Sequence, residues 1–216
     1  MSKKKITVLI ALILMLIIAG VGMILRENAE NAPPPEFIAS YVYDFEVDHP
    51  SYIFYTPEYD ADISKDEDYK KQVPYVYYTS NGLTECITEE NYSEYGPLVE
   101  FFGKYFDALK SGDTDTYISL HSDRFFKNNF KPYQIAPQRL YNINIELIAT
   151  ANTSDPEYGE VEKAIVKTTY MIMKNDGTFR SDIGSDSSRA QYLEVVYDNN
   201  GIFIDAAGYS FKYPGE

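Results

Sequence analysis

Residues 98–112, LVEFFGKYFDALKSG, followed by residues 113–126, DTDTYISLHSDRFF, decide how this chain folds. Leu98, Phe102, Tyr105 and Leu109 stand at i, i+4, i+7 and i+11, which puts them on one helical face. Pro97 suits the first turn and Gly112 the C-terminal stop, so the spacing predicts a helix with that face buried. Asp113 is positioned to cap a second helix through Tyr117 and Leu120, and Ser122 to open a short third one carrying Phe125 and Phe126.

Strands follow the helices. Tyr141, Ile143, Ile145, Leu147 and Ala149 alternate with Asn142, Asn144 and Glu146, a period of two that predicts one buried and one wet face. Residues 161–174 form a longer run rich in Val, Ile, Thr and Tyr. Residues 191–197 and 202–207 flank Asp198-Asn199-Asn200-Gly201 and read as a hairpin. The polar residues 175–189, with Asp176-Gly177, read as a mobile hairpin tip.

Upstream, residues 41–95 hold 11 of the 21 tyrosines, in short β-prone runs broken by Pro50, Pro57, Pro74 and Asn81-Gly82. Tyr52-Ile53-Phe54-Tyr55-Thr56 and Tyr75-Val76-Tyr77-Tyr78-Thr79 echo each other as paired strands would. A carbohydrate-stacking platform is one reading of these rings; packing on half-buried strands is the commoner one, and Trp, the strongest stacker, is absent. Residues 26–36, centred on Ala32-Pro33-Pro34-Pro35, favour extended polyproline II. At about 3.1 Å per residue they make a spacer roughly 30 Å long.

The N-terminus carries the topology. The 20 residues from Ile6 to Leu25 contain no charge, and thirteen of them are Ile, Leu or Val. As a helix this length spans roughly 30 Å, a bilayer's hydrocarbon thickness, and the side chains favour insertion by about 4–8 kcal/mol. Lys3, Lys4 and Lys5 on one flank against Arg26 on the other predict a cytoplasmic N-terminus and an extracytoplasmic body. A cleaved signal peptide is the rival, but its apolar region is usually about 7–15 residues long, and Glu27 or Glu30 stands where a cleavage site ending at Ala29 or Ala32 wants a small residue. The expected order is a basic flank (1–5), a transmembrane helix (6–25), a Pro-rich linker (26–36), a Tyr-rich β segment (37–95) and an α+β domain (96–213).

Composition narrows the partners. The chain of 216 residues has a formal net charge of −14, and beyond Arg26 fifteen Lys and Arg face thirty-three Asp and Glu, a net −18. Such a body repels phosphate backbones, so nucleic acid is not an expected partner. A single cysteine, Cys86, excludes a disulfide framework, and His49 and His121 have no second nitrogen or thiolate near them in sequence to build a zinc site. Asp60-Ala61-Asp62-Ile63-Ser64 begins like an EF-hand, but Lys65 takes the place of the turn glycine and Lys71 that of the bidentate Glu. A looser calcium site among Asp60, Asp62, Asp66, Glu67 and Asp68 is weighed against a solvated acidic loop, the default. Asn91-Tyr92-Ser93 and Asn152-Thr153-Ser154 fit the N-glycosylation pattern.

The long amphipathic helix, the short helical pair ending in paired aromatics and the strands from Leu140 together resemble the nuclear transport factor 2-like superfamily. The resemblance covers residues 95–213 and implies a curved antiparallel sheet wrapped on the long helix as a cone. Membrane-tethered bacterial members include assembly scaffolds of secretion machines, which implies a protein-interaction role. Members resembling ketosteroid isomerases or polyketide cyclases imply instead an Asp or His base in the cone with a Tyr donor; the positions here are Asp205, His121, and Tyr105 or Tyr170. Each has a plainer reading: Asp205 faces water, His121 ends a helix, and the tyrosines pack the core. No catalytic, cofactor-binding or metal-ligating residue is assigned. The expectation is a membrane-anchored, non-enzymatic binding or assembly module with a protein or cell-envelope partner, open to homo-oligomerisation; the alternative is a small-molecule-binding or isomerase-like use of the cone interior.

Overall fold

The computed structural model describes residues 65–72, 76–88, 91–177 and 179–208. Two short strands come early, β1 (Val76–Ser80) and β2 (Leu83–Ile87), joined across Asn81-Gly82, where both residues take positive φ. Before them α1 (Glu67–Lys70) makes one turn, and after them a 3-10 turn (Tyr92–Tyr95) leads into α2 (Pro97–Ser111). Short helices α3 (Thr114–Ser119) and α4 (Asp123–Asn128) follow, then β3 (Leu140–Asp155), β4 (Gly159–Ile172), β5 (Gln191–Asp198) and β6 (Gly201–Gly208). The class is α+β, with one six-stranded sheet in the order β2-β1-β3-β4-β5-β6.

The helical boundaries follow from the capping chemistry. Gly112 ends α2 in the left-handed conformation at φ 74°, donating its N–H to the Ala108 carbonyl. The Asp113 carboxylate accepts the Thr116 N–H at 3.0 Å, and the Ser122 hydroxyl accepts the Phe125 N–H at 3.0 Å. Leu98, Phe102, Tyr105 and Leu109 are all buried, as their shared face requires.

The sheet departs from the expected antiparallel one. β1 runs parallel to β3, with Val76 opposite Ile143 and Tyr78 opposite Ile145, so the sheet is mixed. A parallel neighbour needs a long crossover, here the three helices between β2 and β3. Val76, Ile87 and Tyr92 therefore share one core with α2 and the long strands. The other repeat-like run, residues 52–56, lies outside the described residues.

Alternation in β3 is broken twice. Its pairing with β4 shifts between Tyr141 and Asn144, where Asn142 has φ 50°, and again between Leu147 and Ala149. An extra residue turns every later side chain to the opposite face. Ile143 and Ile145 thus enter the main core, while Tyr141 and Ala149 are buried outside it.

Residues 175–177 and 179–189 are anchored, contrary to the expected mobile tip. Phe179 lies 6.3 Å from the Tyr170 ring, stacked on it, and Arg180 is 0% exposed. The Arg180 guanidinium donates to both oxygens of Asp182, at 2.9 and 2.7 Å, and to the Tyr170 hydroxyl at 3.2 Å. Asn175 donates to the carbonyls of Arg180 and Ile183, at 2.7 and 2.8 Å, closing the loop.

No helix among the described residues is long and apolar enough to cross a membrane. The apolar run from Ile6 to Leu25 and its flanks Lys3, Lys4, Lys5 and Arg26 lie outside the described residues, as do His49, Asp60 and Asp62.

Candidate functional site

The space between α2 and the sheet is filled with rings. Tyr105 contacts Phe106 at 5.2 Å and Tyr117 at 5.9 Å, and Phe106 meets Tyr170 at 5.7 Å between centroids. His121 lies 4.3 Å from Tyr117 and 4.4 Å from Phe125, and its Nδ1 donates to the Tyr117 carbonyl at 2.7 Å. Burial drives its pKa down to about 3, against a weaker upward pull from that carbonyl, so the ring is neutral at ordinary pH. Of the residues considered as a base with its donor, His121, Tyr105 and Tyr170 are packed among rings, and Asp205 is held by a different set of partners.

A bulge aims Asp205. In the β5–β6 ladder Val195 pairs with Ile204 and Glu194 with Ala206, leaving Asp205 as the extra residue. Its carboxylate, 4% exposed, accepts from Ser122 Oγ at 2.6 Å, Tyr158 OH at 3.1 Å and Arg124 Nε at 2.9 Å, with a further close contact to Arg124 Nη2. The expected water-facing Asp205 is therefore an ion-paired one. Ser122 comes within reach because Ile204 exchanges backbone hydrogen bonds with Leu120 and Ser122, seating the start of α4 beside β6.

The same guanidinium holds a second carboxylate. Arg124 Nη1 donates to both oxygens of Asp155 at 3.0 Å, and its carbon lies 4.8 Å over the Tyr158 ring. Asp155 also shapes the β3–β4 turn, accepting the N–H groups of Glu157 at 2.9 Å and Tyr158 at 3.3 Å. Lys163 completes the network, 2.9 Å from Asp155 and 3.2 Å from Glu194. β5 separates β4 from β6 in the sheet, so the turn bearing Tyr158 curls across β5 to reach Asp205.

Electrostatics agree with a closed network. Burial opposes the Arg124 charge, but Asp205 and Asp155 outweigh it and raise its pKa. Burial likewise opposes ionised Asp155, and the Glu157 N–H with Lys163 and Arg124 overcomes it, holding the carboxyl well below its ordinary range. Glu194 is the exception: burial raises its pKa despite Lys163. Both oxygens of Asp205 accept from donors on other segments, so the arrangement fastens three segments together.

Next to the network opens a cleft of about 500 Å³, lined by Tyr158, Glu160, Glu162 and Tyr197, with Asn152 and the β5–β6 turn at its rim. Glu160 and Glu162 are exposed. Aromatic faces beside carboxylates and amides suit a cationic or hydrogen-bonding ligand.

Sequence reasoning missed Arg124, Asp155, Tyr158, Lys163 and Glu194. A signal was present for one of them: Glu194 interrupts the apolar run Leu193 to Val196 in a strand buried on both faces, where a charge demands a partner.

Of the acidic stretch, Asp66, Glu67 and Asp68 fall among the described residues. Asp66 caps α1, accepting the N–H groups of Asp68 and Tyr69 at 3.0 Å, while Glu67 and Asp68 pair with Lys70 and Lys71. Among the described residues no group of three or more His, Cys, Asp or Glu is gathered to hold a metal. Cys86 is exposed on β2. Comparison with protein families, curated proteins and solved structures finds no match for the chain.

Proposed function

We propose that this is a single-pass membrane protein with a cytoplasmic N-terminus, whose extracytoplasmic α+β body, built like a nuclear transport factor 2-like cone, binds a protein or cell-envelope partner without chemical turnover. The observation that carries the binding reading is the aromatic filling of the space between α2 and the sheet: Phe102, Tyr105, Phe106 and Tyr117 are each 1% exposed or less. An interior catalytic pocket needs that space, and its ionisable candidates are committed to packing or ion pairs. The tether is supported by the uncharged run from Ile6 to Leu25 and the basic flank of Lys3, Lys4 and Lys5.

Two measurements on intact cells test this. Added protease should digest the body while sparing the N-terminus, and fractionation should leave the full chain in the membrane pellet. Photo-cross-linking from the cleft, at Glu160 or Tyr197, should recover a discrete adduct. A protected body, a soluble full-length chain or the absence of any adduct would overturn the reading.

A further inference from the structure

The body is acidic, but one stretch is not. From Arg124 to Ile145 there are twenty-two residues without an acid, bearing Arg124, Lys127, Lys131 and Arg139. In its middle, the loop after α4 projects Phe130 at 55% and Tyr133 at 90% exposure. Only Leu83 joins them as an exposed large hydrophobic residue among those described. The loop's foot is fixed: Pro132 is buried, and Ile135 N–H donates to Thr114 Oγ1 at 3.0 Å. Lys131 lies 5.4 Å over the Phe126 ring and makes no ion pair among the described residues.

The cleft is its chemical complement. Glu160 and Glu162 likewise make no ion pair among the described residues, and Tyr158 and Tyr197 supply aromatic walls. Loop and cleft belong to one side of the molecule, because Lys127 Nζ bonds Glu157 at 3.0 Å and Arg124 stacks on Tyr158 at 4.8 Å. Side by side, a basic aromatic projection and an acidic aromatic recess form a self-complementary surface. A twofold axis between them satisfies both at once, loop to cleft and cleft to loop.

We propose that the chain forms a twofold dimer in which the loop carrying Phe130, Lys131 and Tyr133 of each copy seats in the cleft carrying Glu160 and Glu162 of the other. Tyr133 is the aromatic anchor and Lys131 the charge that sets register, as interface cores favour Tyr and rims favour complementary charge. The inference goes beyond the binding role above and does not depend on the tether: a failed dimer leaves cross-linking to other partners unaffected.

The full chain in detergent tests it by sedimentation. The wild type should pass from monomer to dimer with concentration, and about 0.5 M salt should return it to monomer, since the contact is a charged rim contact. Lys131→Glu and Glu162→Lys should each weaken dimerisation about tenfold or more, and the two together should restore it. Both side chains are exposed, and unchanged circular dichroism would show that the variants fold. In a Cys86→Ser background, a Tyr133→Cys chain with one tag and a Glu162→Cys chain with another should form a disulfide joining both tags. A chain monomeric at every concentration, a dimer indifferent to both reversals, or reversals that fail to compensate would overturn the proposal. So would saturation of the cleft by a free amine, or of the loop by an unrelated acidic protein, with no dimer formed.

Discussion

His121 sits 7% exposed inside a ring of aromatics, with its pKa driven to about 3 by burial from an ordinary 6.5. Below pH 6.5 the unfolded chain takes up a proton that the native ring refuses, so stability is complete above that value and lost as the pH falls towards 3. By pH 5 the loss is roughly 2 kcal/mol. His121→Asn keeps an N–H for the Tyr117 carbonyl and cannot titrate, so urea unfolding at pH 7 and pH 5 should show that loss at least halved. Arg124 is the other decisive residue. Arg124→Met leaves buried Asp205 without its cation, while Asp155 keeps Lys163, and should cost about 3 kcal/mol in the same assay. Lys104→Met, which breaks only an exposed pair with Glu100, should cost under about 0.5 kcal/mol.

Within an element, local preference and packing compete, and Gly103 in α2 shows which wins. Alanine is the better helix former by about 1 kcal/mol, yet a Cβ at Gly103 would lie 2.3 Å from the Tyr92 ring. Tyr92 is buried and cannot swing away, so Gly103→Ala should destabilise by about 2 kcal/mol, read as a lower urea midpoint at unchanged slope. Opposite behaviour, a gain in stability, would mean the 3-10 turn is not packed on α2. Bulges make the same point for strands. The one in β6 presents Asp205 to Arg124, and those in β3 divide its apolar residues between two faces.

For the whole molecule, the parallel pairing of β1 with β3 makes residues 76–87 of the Tyr-rich segment part of the sheet that the helices pack against. A chain shortened to begin at Gly96 uncovers the edge of β3 and removes Val76, Ile87 and Tyr92 from the core. Three such side chains contribute about 5 kcal/mol or more, comparable to the net stability of a small domain. The shortened chain should lose its cooperative urea transition and aggregate through the open edge.

Composition and periodicity alone determined the α+β class, the caps at Gly112, Asp113 and Ser122, the buried face of α2 and the β5–β6 hairpin, because each depends on residues within a turn or two of one another. Three features came only from tertiary structure. The parallel β1–β3 pairing joins residues 67 positions apart, from Val76 to Ile143, and no local pattern encodes which edge a strand takes. The Arg124 network gathers side chains from α4, the β3–β4 turn, β4, β5 and β6 that are polar in sequence and buried only once the turn curls across the sheet. The nearness of a basic aromatic loop to an acidic cleft likewise exists only in space, since Lys127 and Glu157 meet through the fold.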